Sequence, residues 1–350
     1  MKKGEFLFKS GDAYNGEWED NKMHGFGEYI FFNGEKYEGE WNKGTKHGRG
    51  KMTFKNGDVY DGEWVQDIKT GQGEYKSKDG MIYKGHFEDG FIDGQGTLTY
   101  PDGSKYTGDF KEQMQNGVGR YETRDGEIYD GEWSQNVREG AGKYSKDNLQ
   151  VEAQWKEDAL AAGKATIVFP SGDKYEGEIQ DNKPDGKGKY TFSRGDTYEG
   201  TFKGGAISGE GTYQFFNGDT YTGQIDGGKF EGKGKFVCKA YTYDGVWVAG
   251  KKQGQGVQKY ANGDEYDGEW KAGQREGLGS YSYNNGDKFE GEWEAGKRQG
   301  KGVVTYANGD RFEGEFDENQ KMGQGCMFYK ASGNIVKGQW ANDELLMRYE

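Results

Sequence analysis

The sequence predicts an all-β protein, an elongated, twisted, single-layer antiparallel ribbon of about 15 stacked β-hairpins. First, a Tyr-x-Gly-x-Trp motif recurs about every 23 residues from Tyr14 to Trp340, and a fixed period of this size indicates a repeat array. Second, the chain has 64 glycines in 350 residues, and each would cost about 1 kcal/mol inside a helix. Third, Asn-Gly or Asp-Gly pairs close most repeats, and these pairs are the strongest short hairpin signal.

The anchor position of the motif is occupied by an aromatic residue in all but two copies. The first six copies are spaced 23 residues apart. The full set of anchors is Tyr14, Tyr37, Tyr60, Tyr83, Tyr106, Tyr129, Val151, Tyr175, Tyr198, Tyr221, Tyr243, Tyr266, Phe289, Phe312 and Val336.

One repeat illustrates the predicted hairpin. In the first strand, 37–41, alternation places Tyr37 and Trp41 on one face and the two glutamates on the other. Residues 42–47 are rich in Gly and Lys and are predicted to be a loop. Residues 48–54 alternate again as the second strand, and Asn56-Gly57 is predicted to be the tight turn to the next repeat.

Regular glycines require an explanation, since glycine weakens a strand. The Gly-x-Gly pairs share a face with the rings, so the missing side chains leave slots in which rings can lie. The prediction is an aromatic groove on one face and a charged back. On that back, Glu40 is expected to face Lys51, and Glu178 to face Lys189.

Three segments are predicted along the chain. Residues 1–144 hold repeats one to six, residues 145–170 hold a degenerate repeat, and residues 171–350 hold repeats eight to fifteen. The degenerate repeat reads Val-Glu-Ala-Gln-Trp at 151–155, with neither the tyrosine nor the central glycine. We expect a bend there, and the sequence leaves open whether it is a functional hinge or neutral drift.

Composition limits the function classes. Apolar residues make up 31% of the chain and the net charge is −13, which would favour disorder if the 15% aromatic residues were not periodic. Two cysteines, Cys238 and Cys326, are too few for a disulfide framework, and no signal-like or membrane-spanning apolar run occurs. A cytoplasmic location is expected. The acidic balance argues against nucleic-acid binding.

Catalytic chemistry is not predicted. The three histidines, His24, His47 and His86, have no serine or cysteine in a nucleophile motif nearby. The Gly-x-Gly pairs precede strands, whereas phosphate-binding loops precede helices. No catalytic residue, metal site or cofactor is therefore expected.

With Tyr-Glu-Gly-Glu-Trp, then Gly-x-Gly, then Asn-Gly-Asp every 23 residues, the chain resembles the MORN (membrane occupation and recognition nexus) repeat family. The resemblance covers almost the whole chain. It implies a ribbon of stacked hairpins and, at this size, a cytoskeletal scaffold of the kind found in kinetoplastid and apicomplexan protists. Such scaffolds belong to basal-body, flagellar or cortical structures, and other all-repeat members serve cilia. The predicted location is cytoplasmic and cytoskeleton-associated.

The first predicted site is a groove of exposed rings that binds cytoskeletal proteins. Its residues are Tyr37, Trp41, Tyr60, Trp64, Tyr129, Trp133, Tyr243, Trp247, Tyr266, Trp270, Phe289 and Trp293.

The second predicted site follows from charge separated by edge. The Asn-Gly edge is acidic and the opposite edge is basic, which allows a phosphoinositide-binding adaptor as the alternative function. The proposed lipid rim comprises Lys22, Lys43, Lys46, Lys183, Lys229, Lys251, Lys297 and Arg298.

The ends of the ribbon are predicted to self-associate. The chain begins with a lone second strand at 4–9 and finishes with a lone first strand at 336–340. Unpaired strand edges invite another chain, so a homodimer or higher oligomer through the ends is expected.

Overall fold

A computed structural model describes residues 2–349, which fall into two compact units, one ending at Ser171 and one beginning at Gly172. Both units consist of β-strands joined by short turns. Within residues 2–349, no helix is long and apolar enough to cross a membrane.

The first unit is a meander in which each strand pairs antiparallel with the next. Its strands are β1 (Lys2–Leu7), β2 (Ala13–Glu19), β3 (Lys22–Ile30), β4 (Lys36–Asn42), β5 (Thr45–Thr53), β6 (Val59–Val65), β7 (Ile68–Lys76), β8 (Ile82–Glu88), β9 (Phe91–Thr99), β10 (Lys105–Lys111), β11 (Met114–Glu122), β12 (Ile128–Ser134), β13 (Val137–Lys146), β14 (Leu149–Lys156) and β15 (Ala159–Val168).

The second unit is a meander of the same kind. Its strands are β16 (Lys174–Gln180), β17 (Lys183–Thr191), β18 (Thr197–Lys203), β19 (Ala206–Gln214), β20 (Thr220–Asp226), β21 (Lys229–Val237), β22 (Tyr241–Val248), β23 (Lys251–Tyr260), β24 (Glu265–Lys271), β25 (Gln274–Ser282), β26 (Lys288–Glu294), β27 (Lys297–Thr305), β28 (Arg311–Asp317), β29 (Gln320–Phe328), β30 (Ile335–Ala341) and β31 (Glu344–Arg348). The all-β prediction of stacked antiparallel hairpins is confirmed.

Glycine pairs make room for the anchor ring inside each hairpin. Gly39 of β4 lies opposite Gly50 of β5, and the Tyr37 ring lies on them. A Cβ added to Gly50 would sit 2.1 Å from the Tyr37 hydroxyl oxygen. No side chain fits there, so the predicted slot exists.

The rings of successive hairpins interlock edge to face. The Tyr37 ring centroid is 5.1 Å from that of Trp41 and 5.5 Å from that of Trp64 in the next repeat, each at 87°, the arrangement that aromatic pairs prefer. The Trp64 indole nitrogen donates to the Gly50 carbonyl at 2.9 Å, and the Tyr37 hydroxyl donates to the Glu40 carbonyl at 3.0 Å. The core of each unit is this continuous ring ladder, with the polar tips of these rings satisfied.

The two kinds of turn are the reverse of the prediction. Lys43-Gly44 alone joins β4 to β5, and both residues have positive φ, 51° and 94°, as in a type I′ turn. At the other edge the connection is the longer segment 54–58, in which the Gly57 amide donates to the Phe54 carbonyl at 2.9 Å. The prediction of a six-residue loop was wrong because a lysine at the first turn position does not indicate a positive φ.

A β-bulge makes the strand pairing on the charged face differ from the prediction. The register shifts between Gly39 and Trp41, so Glu38 faces Lys51, and likewise Glu176 faces Lys189. The prediction that Glu40 and Glu178 face these lysines was wrong. Each instead accepts a backbone amide of the neighbouring strand at 2.9 Å.

The degenerate repeat keeps its strand pairing. Val151 lies opposite Ile167 and Ala153 lies opposite Ala165, so alanines replace the glycine pair where valine replaces tyrosine. Both of its strands, β14 and β15, belong to the first unit. The bend and the segment boundaries remain predictions.

The chain end differs from the prediction. Val336–Trp340 is not a lone last strand, because the turn at 342–343 returns the chain as β31, which pairs with β30. Among the pairings within residues 2–349, β1 pairs with β2, and neither β1 nor β31 has a second partner.

Candidate partner-binding face

The rings predicted to line an exposed groove are buried. Their exposed fractions run from 0 to 7%, so the expectation of exposed rows was wrong. Each ring is covered by neighbouring hairpins, which the spacing alone does not reveal. Their part in binding remains a prediction, and they can contribute to it mainly by supporting the surface above them. The buried set is Tyr37, Trp41, Tyr60, Trp64, Tyr129, Trp133, Tyr243, Trp247, Tyr266, Trp270, Phe289 and Trp293.

A second column of rings forms the more accessible part of the same face. An aromatic residue recurs four positions before the turn aspartate in many repeats, and this signal was missed in the sequence. In the second unit the column includes Tyr260, Tyr283 and Tyr306, which are partly buried. It continues at Tyr329, which is 38% exposed and is followed at the same spacing by Gly333 in place of the aspartate. We call Tyr260, Tyr283, Tyr306 and Tyr329 the tyrosine column.

Cations lie across the buried rings. Each is the second residue of the second strand of its hairpin, directly opposite the Trp or Phe of the first strand, as Lys46 is opposite Trp41. The Lys46 ammonium is 4.6 Å from the Trp64 centroid, and the Lys252 ammonium is 4.8 Å from the Trp270 centroid. Both positions are cation–π contacts.

Burial among rings alters these charges. It lowers the pKa of Lys46, with nearby Asp67 and Glu35 opposing the change. Burial likewise lowers the pKa of Lys252 to about 8. A charged lysine on the aromatic face is therefore destabilised by the loss of its water contacts.

The lipid-rim residues divide between the two faces. Lys46 and Arg298 lie on the aromatic face. Strand alternation places Lys22, Lys183, Lys229, Lys251 and Lys297 on the opposite face, where all are exposed, and Lys43 is an exposed turn residue. The eight side chains therefore do not form a single surface.

The acidic edge has a structural role. The Asp58 carboxylate accepts the Tyr75 hydroxyl and, at 2.8 Å, the Lys78 amide of the next hairpin. These two bonds lower the pKa of Asp58, with smaller help from Asn56. Equivalent bonds to the amide twenty residues later are made by Asp12, Asp173, Asp196, Asp264, Asp287 and Asp310.

The charged side chains of the described chain recur from hairpin to hairpin. Within residues 2–349, no three His, Cys, Asp or Glu side chains are grouped to hold a metal ion. A depression of about 640 Å³ in the second unit is lined by Glu, Lys, Thr and Gly residues, including the charged residues Glu176, Lys189 and Glu199. Such charge pairs recur along the strands, so they define a repeated surface.

Fold and face together define a repeat protein built for binding or support. The family comparison agrees, since the MORN repeat model matches thirteen segments: 14–36, 37–59, 60–82, 83–105, 106–128, 129–149, 175–197, 198–220, 221–241, 243–265, 266–288, 289–311 and 312–332. The chain belongs to the MORN repeat family, which is a family of non-enzymatic repeats. The anchors Val151 and Val336 lie outside the matched segments.

The similarity to three solved structures is slight. No curated protein matches the sequence. The TCP10 domain of Danio rerio CPAP shares 10% identity at a TM-score of 0.24, covering 64% of this chain and 98% of that one. The Drosophila melanogaster SAS-4 TCP domain, in complex with a proline-rich motif of Ana2, shares 12% at 0.17, covering 68% and 90%. Virginiamycin B lyase from Staphylococcus aureus shares 12% at 0.13, covering 96% and 93%. Scores this low carry no functional argument.

Proposed function

We propose that this protein is a non-catalytic scaffold of the cytoskeleton that self-associates and recruits protein partners along its aromatic face. The observation that carries the proposal is the repetition of that face. Many hairpins present a partly exposed ring above a buried ring ladder, and several of them, four in succession, also carry a cation there. A long surface of this kind suits an elongated partner, whereas catalysis needs one special environment.

Rigid rings favour recognition at this face. The buried anchors fix the sheet, so the second column of rings is held in place before a partner arrives. Preorganised side chains reduce the entropy lost on binding. Aromatic residues and arginine are also the residue types that dominate binding energy at interfaces.

Self-association is assigned to the outer strand edges. The last strand, β31, exposes Leu346 at 66% and Met347 at 61%, and the first strand, β1, exposes Leu7 at 73%. An unpaired edge that also carries apolar side chains can pair with another copy. Replacing Leu346 and Met347 with lysine is expected to reduce the mass measured by light scattering, while unchanged mass would contradict end-to-end assembly.

The family resemblance supports the proposed location, which is the cytoplasm at a basal-body, flagellar or cortical structure. A tagged copy of the chain is expected to remain in the detergent-insoluble cytoskeleton at one discrete location. Release into the soluble fraction would contradict the scaffold.

The phosphoinositide adaptor is the second candidate function. It rests on the exposed lysines of the face opposite the rings, such as Lys183, Lys229 and Lys251. One of that set, Lys297, is already paired with Glu318, which weakens the case. Co-flotation with phosphoinositide vesicles, lost when these lysines are reversed in charge, would place the adaptor first.

A further inference from the structure

Four consecutive hairpins of the second unit carry a cation at the same place on the aromatic face. These residues are Lys252, Arg275, Arg298 and Lys321, on β23, β25, β27 and β29. We call them the cation ladder. Each cation packs over the anchor ring of its own repeat and the Trp or Phe of the next. The Arg275 guanidinium, for example, is 4.3 Å from the Trp293 centroid and 5.7 Å from that of Tyr266.

Packing does not require a cation at this position. In the first unit the equivalent position holds Met23, Lys46, Lys69, Ile92, Gln115, Arg138 and Leu160. Ile92 and Gln115 belong to antiparallel strand pairs of the same kind as those that carry a cation. Since the fold accepts an apolar or neutral residue there, the unbroken run of four charges calls for another explanation.

The ladder charges also have no acidic partner. Among the residues described, no carboxylate lies within salt-bridge distance of any of the four. Lys252 contacts the Gln258 side-chain oxygen, Arg275 donates to the Gly296 carbonyl at 2.7 Å, and Arg298 donates to the Asn319 carbonyl. The chain nevertheless carries a net charge of −13. Carboxylates are abundant, yet none is paired with the ladder.

Several basic residues elsewhere in the same hairpins are paired. Lys259 pairs with Glu265 at 2.9 Å, and Lys271 pairs with Glu276 at 3.3 Å. Lys288 pairs with Glu290 at 2.8 Å. Lys297, one residue before Arg298 and on the opposite face, is paired with Glu318. The four ladder cations differ from these residues, since none of them has a carboxylate partner although they lie in the same hairpins.

The tyrosine column runs beside the ladder, each tyrosine eight residues after its cation on the same face. The Lys321 ammonium is 5.5 Å from the Tyr306 centroid, so the columns are close. No hydrogen bond of the hydroxyls of Tyr260, Tyr283, Tyr306 or Tyr329 is seen in the described part of the chain, whereas the Tyr281 hydroxyl donates to Asp264 at 2.8 Å. Four hydroxyl donors thus lie next to four cations, on rings that are partly buried at Tyr260, Tyr283 and Tyr306 and exposed at Tyr329.

The geometry points to one kind of partner: we propose that the ladder and the tyrosine column bind an acidic, proline-rich segment of a protein in the polyproline II conformation, with a carboxylate at every third residue. Successive ladder positions are two strands apart, about 9.6 Å. A polyproline II segment has three residues per turn and rises about 9.3 Å in that turn. Every third side chain therefore meets the next cation, and the intervening prolines pack on the tyrosine rings, as in other aromatic-lined grooves.

An α-helix fits this surface less well, because it is about 10 Å across and would span both columns without entering between them. A flat membrane is also disfavoured, since the ladder cations are partly buried against rings. The proposal rests on the scaffold function and specifies its partner.

The test uses the full chain and a fluorescently labelled peptide of four Glu-Pro-Pro units, with binding followed by anisotropy at physiological salt. The control peptide has the same composition with its four glutamates contiguous. The regular peptide is expected to bind at least about tenfold more tightly. Equal affinity for the regular and the control peptide would overturn the proposal. Tighter binding of a helical peptide with glutamate at every seventh position would also overturn it, and neither comparison needs a variant of the protein.

Matched variants locate the site. Lys252→Gln with Arg298→Gln is expected to weaken peptide binding about tenfold. Lys251→Gln with Lys297→Gln, one residue earlier in each strand and on the opposite face, is expected to leave it unchanged. Equal effects of the two pairs would overturn the assignment, and hydrogen exchange would confirm that both variants are folded.

A membrane outcome is distinguishable. If the chain floats with phosphatidylcholine vesicles containing phosphatidylinositol bisphosphate, loses this with Lys252→Gln and Arg298→Gln, and binds no peptide, the ladder is a lipid site and the proposal is wrong. Failure of peptide binding with the chain still retained in the cytoskeleton would overturn this inference alone.

Discussion

Replacing Gly50 with alanine tests whether the tyrosine–glycine contact holds the hairpins together. The new Cβ would lie 2.1–2.5 Å from three atoms of the Tyr37 ring, and that ring is fully buried. If the sheet yields around the methyl group, overpacking costs about 1–3 kcal/mol. If the ring is expelled, about 150–250 Å² at about 25 cal/mol per Å² gives about 4–6 kcal/mol. We expect a loss of about 2–4 kcal/mol, between these limits.

The degenerate repeat supplies the compensating change. There valine replaces the anchor, and Ala153 and Ala165 pair where other repeats have two glycines. Gly50 has no positive φ, so alanine is tolerated once the ring is gone. In the Tyr37→Val background, Gly50→Ala is expected to cost less than about 0.5 kcal/mol or to stabilise, since alanine loses less conformational entropy than glycine.

The assay is hydrogen exchange of the amides of β4 and β5 in the full chain, together with the urea midpoint and slope. A long repeat array need not unfold in two states, so the local exchange free energy is the primary measurement. Gly4→Ala is the control, because its nearest contact would be Trp18 Nε1 at 4.0 Å. The steric reasoning is refuted if Gly50→Ala costs the same with tyrosine and with valine at position 37.

Three further predictions concern ionisable groups. Burial raises the pKa of Tyr83 to about 12, so its neutral form is retained above pH 10 in the folded state alone. The free energy of unfolding should therefore fall as the pH rises from about 10 to 12. The prediction is contradicted if the Tyr83 phenolate absorbs while the backbone amides are still protected from hydrogen exchange. Asp58→Ala should cost about 1–2 kcal/mol by removing the acceptor for a tyrosine hydroxyl and an amide of the next hairpin, and Asp79→Ala should cost little. Because hydrogen bonds lower the pKa of Asp58, its contribution is present above its unfolded pKa and is lost as pH falls through the folded value. Because burial lowers the pKa of Lys252 to about 8, the free energy of unfolding should rise between pH 8 and 10.5. Lys252→Met should raise the denaturant midpoint at pH 7. An equal increase from Lys251→Met would refute the burial argument.

The sequence was sufficient for the repeat, the hairpins and the glycine slots, because each depends on a residue type at a fixed spacing. Turn lengths were not predictable in the same way. Lys43 has positive φ without being one of the residues that favour it, and the bulge after Gly39 leaves no mark in the spacing. The pairing of Glu38 with Lys51 depends on that bulge.

The site could be predicted only in part for a different physical reason. Alternation shows which residues share a face, but it does not show which of them are covered. Trp41 and Lys46 lie side by side on one face, yet the indole is 5% exposed while the lysine keeps contact with solvent above the rings. That difference arises from the stacking of successive hairpins, which strand alternation in the sequence does not describe.

Stability and recognition therefore occupy different positions of the same face. The anchor ring, the glycine pair and the Trp or Phe position interlock closely. The coordinated change at Val151, Ala153 and Ala165 is the one departure that alters the glycine pair and the anchor together. The cation position tolerates Lys, Arg, Ile and Gln, since its side chain lies over the rings and does not fill a slot. A repeat array can thus change its partner by altering this second layer without disturbing the first. The run of Lys252, Arg275, Arg298 and Lys321 is where this chain departs most from what its fold requires, and partner specificity is best sought there.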